Sequence, residues 1–364
     1  MSIPTITPAR SPDHCGAVAR LRARDSRRAG VLGALLLLLA VRPGGAGAVD
    51  LAEAAADRPT PFVVRDLNPF IQVFGLPPFD PAELVPAGHA QVQLAFDLAN
   101  NAKLGNGANE SITLDGETYR LSLSVRRGVW DWLEVGVELP FVFHRAGLFD
   151  PFIKEWHALL GLPNGDRDLL PDNALDYSHR LQGKESVAIR TGQQGLGDIR
   201  LFAATPLWRA TDGARAFSLH ASLKLPTGQG AMLLGSGSTD LAVTVNAVER
   251  GLGSVGLTGF GRLGVMVMGD GDVLTAQQHH AVAFGGLGLD WRAWGPVDLK
   301  VQLDVHGPLY ESELLQLDAT SVLLTVGGTI RLGSATTLDL AVGENLFIDT
   351  TPDVIANITL THRL

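Results

Sequence analysis

From about residue 88 to the C-terminus, apolar and polar residues take turns. Val92, Leu94, Phe96 and Leu98 alternate with Gln91, Gln93 and Asp97. Tyr119, Leu121, Leu123 and Val125 oppose Arg120, Ser122, Ser124 and Arg126, and Leu133 to Phe143 repeats the pattern against Glu134, Gly136 and Glu138. Val297, Leu299, Val301, Leu303 and Val305 oppose Asp298, Lys300, Gln302, Asp304 and His306. Successive strand side chains point to opposite faces, so a period of two predicts strands between an apolar and a polar phase. About twelve such segments follow one another: 88–99, 117–127, 132–144, 196–208, 214–226, 238–249, 254–268, 280–292, 297–307, 318–331, 336–344 and 354–364. Most are near the ~9–11 residues that a tilted strand needs to cross a bilayer.

The connections alternate too. Short turns fall at Gly128–Asp131, Arg209–Gly213, Arg250–Gly253, Ala293–Pro296 and Leu332–Ala335. Longer loops span 100–116, 145–195, 227–237, 269–279, 308–317 and 345–353. A soluble sandwich would not sort its turns by length, and it would show water a charged exterior. Here the polar face is rich in Gly, Ser, Thr and Gln, as a lumen is. The expected fold is all-β: a closed antiparallel transmembrane β-barrel of about 12 strands with an N-terminal plug-like segment. Trp130, Trp132, Trp208, Trp291 and Trp294 sit at strand ends next to short turns, where an interfacial girdle belongs. Ala356, Ile358, Leu360, His362 and Leu364 alternate back from the C-terminus. They resemble the terminal strand read by the outer-membrane assembly machinery, with Leu in place of the usual Phe. Within the longest loop, Asp150–Gly161 predicts a short helix with Pro near its start and Gly at its end.

Residues 1–48 change the address. Arg20, Arg22, Arg24, Arg27 and Arg28 precede the apolar run Val31–Val41, and Ala46-Gly47-Ala48 gives a small-x-small cleavage pattern. This predicts a signal peptide; the run is short of the ~20 residues of a membrane helix. The expected organisation is 1–48 signal peptide, 49–87 plug or periplasmic segment and 88–364 barrel, in the outer membrane of a Gram-negative bacterium. Removing the leader leaves 22 basic against 36 acidic residues, a formal charge of −14. That excludes a basic nucleic-acid face. The one cysteine, Cys15, lies in the leader, so no disulfide, thiolate metal site or cofactor is expected in the mature chain.

Residues 49–87 hold many prolines and no strong alternation. Their stretch "NPFIQVFGLPPF" carries apolar groups that are costly to leave in water. A barrel of about twelve strands is wider than the eight-strand case that side chains fill unaided. The lumen must therefore hold water or this segment. Arg65, Asp66, Asn68, Pro69, Phe70 and Phe74 are the expected plug residues, with Arg65 and Asp66 pairing to Glu134, Glu138, Arg120 or Arg126. Arg120, Glu134, Glu138, Arg200, Lys224, Arg262, Asp304 and His306 are the expected lumen-facing charges, either a neutralised interior or a selectivity zone.

"NPF…FGLP", "GLGDI" at 195–199, "LKLPTG" at 223–228 and "EN…TPDV" at 344–354 resemble the DUF3187 family, a proteobacterial family of unknown function. The resemblance implies a cell-envelope setting and no mechanism. A looser similarity, carried by Asn68-Pro69, is to long-chain fatty-acid channels with an N-terminal hatch, whose strand count is higher.

Little else points to chemistry. Asp304 and His306 could form a base–orienter pair on one strand. His279-His280 is awkwardly spaced for one metal. Gly251–Gly256 has the letters of a dinucleotide loop but no following helix. The expected function is a channel or transporter for a small or apolar solute, gated by the N-terminal segment. The alternatives are an outer-membrane lipid hydrolase or acyltransferase, and a structural or adhesive surface protein working through loop 145–195. Expected partners are outer-membrane lipid, the assembly machinery and a small solute.

Overall fold

The computed structural model describes residues 60–161, 164–253, 255–345 and 351–364. The expected signal peptide and residues 49–59 lie outside the described residues. Fifteen strands form one sheet: β1 (Ala90–Asn106), β2 (Glu110–Trp130), β3 (Leu133–Arg145), β4 (Asp176–Leu181), β5 (Lys184–Ile189), β6 (Gln193–Leu196), β7 (Ile199–Arg209), β8 (Arg215–Leu225), β9 (Asp240–Leu252), β10 (Leu257–Met268), β11 (Ala281–Trp294), β12 (Val297–His306), β13 (Ser321–Arg331), β14 (Thr336–Asn345) and β15 (Val354–Arg363).

Twelve of them, β1 to β3 and β7 to β15, close into an antiparallel ring. The seam joins first strand to last, from Gln91↔Arg363 to Asn100↔Val354, and Ala90 and Leu364 exchange both backbone hydrogen bonds, at 3.0 and 2.8 Å. The expected segments from 117, 132, 196, 214, 238, 254, 280, 297, 318, 336 and 354 each coincide with a ring strand to within a few residues.

The alternation resolves as expected. Along β12, Asp298, Lys300 and Gln302 point inward and are buried, whereas Leu299 and Val301 point outward and are exposed. The same holds for Leu241, Val243 and Val245 on β9 and for Leu263, Val265 and Val267 on β10. An apolar exterior around a polar interior is the inverse of a water-soluble core and suits hydrocarbon. The five tryptophans next to the short turns are all exposed there, with Trp130 and Trp132 stacked at 5.1 Å between ring centroids.

Two regions differ from the expected loops. Residues 100–116 are not a loop: β1 and β2 continue as a ribbon to Asn106↔Ser111. The 145–195 region contributes helix α1 (Asp150–Leu160), ending at Gly161 with φ 69°, and also the hairpin β4–β5. β4 pairs with the outer part of β2, from Glu110↔Leu181 to Asp115↔Asp176. Asp150 does not cap α1 with its side chain; it binds Arg167 and Asn100 instead.

Leu263, 72% exposed near the middle of β10, is the sharpest test of the exterior. Leu263→Arg should cost about 2–4 kcal/mol of stability in lipid, as charge does near the midplane of such barrels. Urea unfolding of the protein refolded into vesicles measures it; an unchanged midpoint would mean that this face does not contact lipid.

Candidate functional site

The ring's interior is occupied by residues 60–87, which enter and leave at the short-turn end. The Thr60 carbonyl accepts a hydrogen bond from Lys300 Nζ at 2.8 Å, and Ala87 bridges to Gly128 beside the first short turn. The rising limb follows β12. Phe62 N donates to Gln302 Oε1 (2.8 Å), and Gln302 Nε2 donates back to the Phe62 carbonyl (3.1 Å). One amide side chain thus stands in for a neighbouring strand. Higher up, Asp66 Oδ2 lies 3.2 Å from both His306 Nε2 and Ser321 Oγ.

The limb then turns. Asn68 N donates to Asp66 Oδ1 (2.9 Å) and Phe70 N to Asn68 Oδ1 (3.0 Å), the side-chain-to-backbone bonds that let Asp and Asn start turns. Pro69 opens the turn that carries Phe70 to Phe74 across the ring. The Tyr310 hydroxyl donates to the Phe70 carbonyl (2.9 Å), and Phe74 meets the Tyr310 ring edge-on at 5.4 Å. Phe70, Ile71, Val73 and Phe74 share one buried cluster with Tyr177, Leu233, Met266, Leu309 and Leu317, which come from the strand ends and long loops. The apolar residues of "NPFIQVF" are therefore buried at the long-loop end.

The falling limb is held by charge. Lys224 Nζ donates to the Val73 carbonyl (3.1 Å) and pairs with Asp198 (2.8 Å) and Asp240 (3.1 Å); Gly75 N donates to Asp240 Oδ2 (2.8 Å). The approach is so close that a Cβ on Gly75 would lie 3.0 Å from the Cβ atoms of both Asp240 and Lys224. Arg262 donates to the Pro77 carbonyl (2.8 Å) and to Asp304 (2.6 Å). Asp80 pairs with Arg126 and lies 3.9 Å from Arg200. Burial alone would push the Asp80 carboxyl up, but the Arg126 and Arg200 guanidinium groups hold it well below the usual carboxylate range. Near the floor, Glu83 pairs with Arg209 (3.2 Å) and Arg250, and Val85 N donates to Glu134 Oε2 (2.7 Å).

Glu138 on β3 is the wall's hub. It binds Arg65 (2.6 Å), Arg200 (2.9 Å) and Arg120 (3.1 Å). The inward ring of Phe202 lies between Arg126 and Arg200, each 4.6 Å from its centroid.

All eight of the expected lumen-facing charges point inward. Glu134, Glu138, Arg200, Lys224, Arg262 and His306 meet residues 60–87 directly, while Arg120 and Asp304 act through Glu138 and Arg262. Arg65 pairs with Glu138 as expected. Asp66 does not reach Arg120 or Arg126; it meets His306 and Ser321 on the other side of the lumen. Asp304 and His306 consequently have separate partners. Sequence reading missed Asp80, Glu83, Gly75, Gln302 and Asp240. The signal for the first two was available: two acidic residues in an otherwise apolar, proline-rich segment.

Two arrangements bear on an enzyme reading. Ser218 Oγ lies 3.0 Å from His220 Nε2, and His220 Nδ1 lies 3.8 Å from Asp80. Ser218 has no exposed surface and His220 is almost fully buried. His280 is exposed and 3.9 Å from Asp270.

The model of the proteins of unknown function DUF3187 matches residues 46–364. The chain belongs to the DUF3187 family. Among solved structures, this DUF3187 barrel is similar to the COG4313 outer membrane channel from Pseudomonas putida F1, at 12% identity over 78% of this chain and 98% of that one, with a TM-score of 0.52. It also matches the Ralstonia pickettii toluene transporter TbuX, at 12% identity over 88% and 98% of the two chains, with a TM-score of 0.39. No curated protein sequence matches it. The first likeness agrees with the ring described above: the fold is that of an outer-membrane β-barrel.

Lys224 and Gly75 give a local test of how the falling limb is held. Lys224→Ala strands two buried carboxylates, a loss of about 3–5 kcal/mol for a broken buried pair, and Gly75→Val forces the backbone away from Asp240. Both variants should make residues 60–87 susceptible to protease in a barrel that still migrates as folded on an unheated gel. Protection equal to the parent's would mean that this contact does not hold the limb.

Proposed function

We propose that this protein is an outer-membrane channel for a small, mostly apolar solute, and that residues 60–87 are its plug, closed in this conformation. The observation that carries the reading is the two-limbed course of that segment inside the ring, tied to side chains on eight of the ring strands by hydrogen bonds and ion pairs rather than by an apolar core alone. Polar ties can be exchanged for bonds to water as water enters behind a departing segment, at a net cost of about 0.5–1.5 kcal/mol for a neutral tie and about 1.5–3 kcal/mol for a charged one, whereas a packed apolar core offers no such exchange. The similarity to a solved outer membrane channel supports the class.

The empty space around the segment suggests the solute. A narrow cavity of about 40 Å³ lies between the two limbs and β10 to β13, walled by Val64, Ile71, Phe74, Leu76, Val305 and Leu323, with Arg262, Asp304 and His306 at one side. Two smaller polar cavities of about 20 and 10 Å³ lie towards β2, β3 and β7. Arg65 lines all three. Its ion pair with Glu138 is the partition between them. With the segment seated this space holds no more than a few waters, but once the segment moves its lining would match a solute with an apolar body and one hydrogen-bonding end.

Deleting residues 60–80 should raise single-channel conductance in planar bilayers several-fold, and Arg65→Ala should raise it less. Unchanged conductance in the deletion, with the barrel still folded by gel migration, would remove the plug.

A further inference from the structure

The outer face of β1, β2 and β3 changes character in three successive rows. Phe96, Leu121 and Phe141 are neighbours, then Leu98, Tyr119 and Phe143, then Asn100, Glu117 and Arg145. The first two rows are apolar and the third is polar. A carboxylate facing hydrocarbon is costly, and Glu117 does not face it. It is fully buried under the β3–β4 connection, accepting from Leu148 N (3.0 Å), Phe149 N (2.9 Å) and Asn100 Nδ2 (3.3 Å). Arg167 completes the attachment by donating to Asn100 Oδ1 and Asp150 Oδ1, both at 2.6 Å. The start of α1 is therefore fastened to the outside of the wall, at the row where the apolar band ends.

α1 keeps Ile153 buried, yet Phe152, Trp156 and Leu159 are 60%, 46% and 76% exposed. At about 3.6 residues per turn these three fall on one face. Phe152 and Trp156 stack with centroids 6.4 Å apart. Leu148, 77% exposed, extends the patch. No water-facing role explains four large apolar groups together. Tryptophan placement identifies the cover. Five of the chain's six tryptophans ring the short-turn end; Trp156 alone is at the other. From Trp130 to Glu117 along β2 is 13 residues. At about 3.3 Å per residue and a tilt near 40°, that is roughly 33 Å along the membrane normal, about the 25 Å apolar band plus its two margins.

We infer that α1 lies in the outer-leaflet interface, with Phe152, Trp156 and Leu159 among the lipid acyl chains. The patch continues the barrel's own lipid-facing surface across the Glu117 row. The occupant is acyl chain rather than phosphate: the helix's one lysine, Lys154, is paired with Asp172 at 2.5 Å. The helix thus adds a tryptophan to the long-loop end, beyond the outward row of Tyr119 and Phe143. The inference stands on the barrel and not on what passes through it.

The chain's single cysteine makes the test direct. With Cys15 replaced by Ser, single cysteines at Trp156, Leu159, Leu263 and Glu185 are labelled with a small fluorophore in the full barrel in lipid nanodiscs. Leu263 is the lipid-facing reference, and Glu185, exposed on the β4–β5 hairpin, the aqueous one. Nanodiscs with brominated acyl chains should quench labels at 156 and 159 at least half as strongly as at 263, while aqueous iodide quenches only the label at 185. Iodide quenching at 156 and 159 equal to that at 185 would overturn the inference. So would protection from both quenchers, which would mean that another protein surface covers the helix.

Discussion

Backbone hydrogen bonding decides this architecture. In hydrocarbon there is no water to serve an unpaired N–H or C=O, so a sheet that crosses must close on itself. The ten-residue seam between β1 and β15 is where that condition is met, and Ala90 with Leu364 completes it at the floor. Once the sheet is closed, the period-two pattern has one way to sit, greasy side out. The polar side chains are then crowded into a bore too wide for them to fill. The occupied lumen follows from that geometry.

The interior is organised as charge balance rather than as packing. Glu138 gathers three guanidinium groups, Lys224 sits between two carboxylates, and Asp80 meets Arg126. Each buried charge would be expensive alone, and removing one partner leaves the other uncompensated. Apolar packing is heaviest at the long-loop end, where Phe70 to Phe74 join Tyr177, Leu309 and Tyr310. Along the limbs the ion pairs alternate with smaller apolar contacts, Phe62, Val64 and Leu67 on the rising limb and Phe79 and Ala82 on the falling one.

The ring strands and the inward set Arg120 to His306 were legible in the chain because side-chain parity in a strand is strict: one assignment of apolar residues outward places every polar neighbour. Three things were not. β1 and β2 run past the wall through Asn, Gly and Asp residues, and the one short alternation there, Ile112 and Leu114, is too brief to read as a strand although both side chains are buried. β4 and β5 depend on that ribbon and share its silence. The pairing of His306 with Asp66 rather than Asp304 was also hidden, since Asp304 is taken up by Arg262 and Gln302 and the partner that reaches His306 comes from a segment 240 residues away, which no local pattern records.

Residues 60–87 form a loop with both feet, Thr60 and Ala87, at the short-turn end. Such a loop is not threaded: the described residues enter and leave the ring on one side, as a bight of rope does. Assembly therefore needs no fixed order between closing the seam and seating the segment. By the same topology, a steady pull from the periplasmic side on the chain before Thr60 would peel the Gln302 and His306 contacts one after another, lowest first, so the rising limb would yield to force like a zipper while the falling limb, bound to the first strand, stayed tethered.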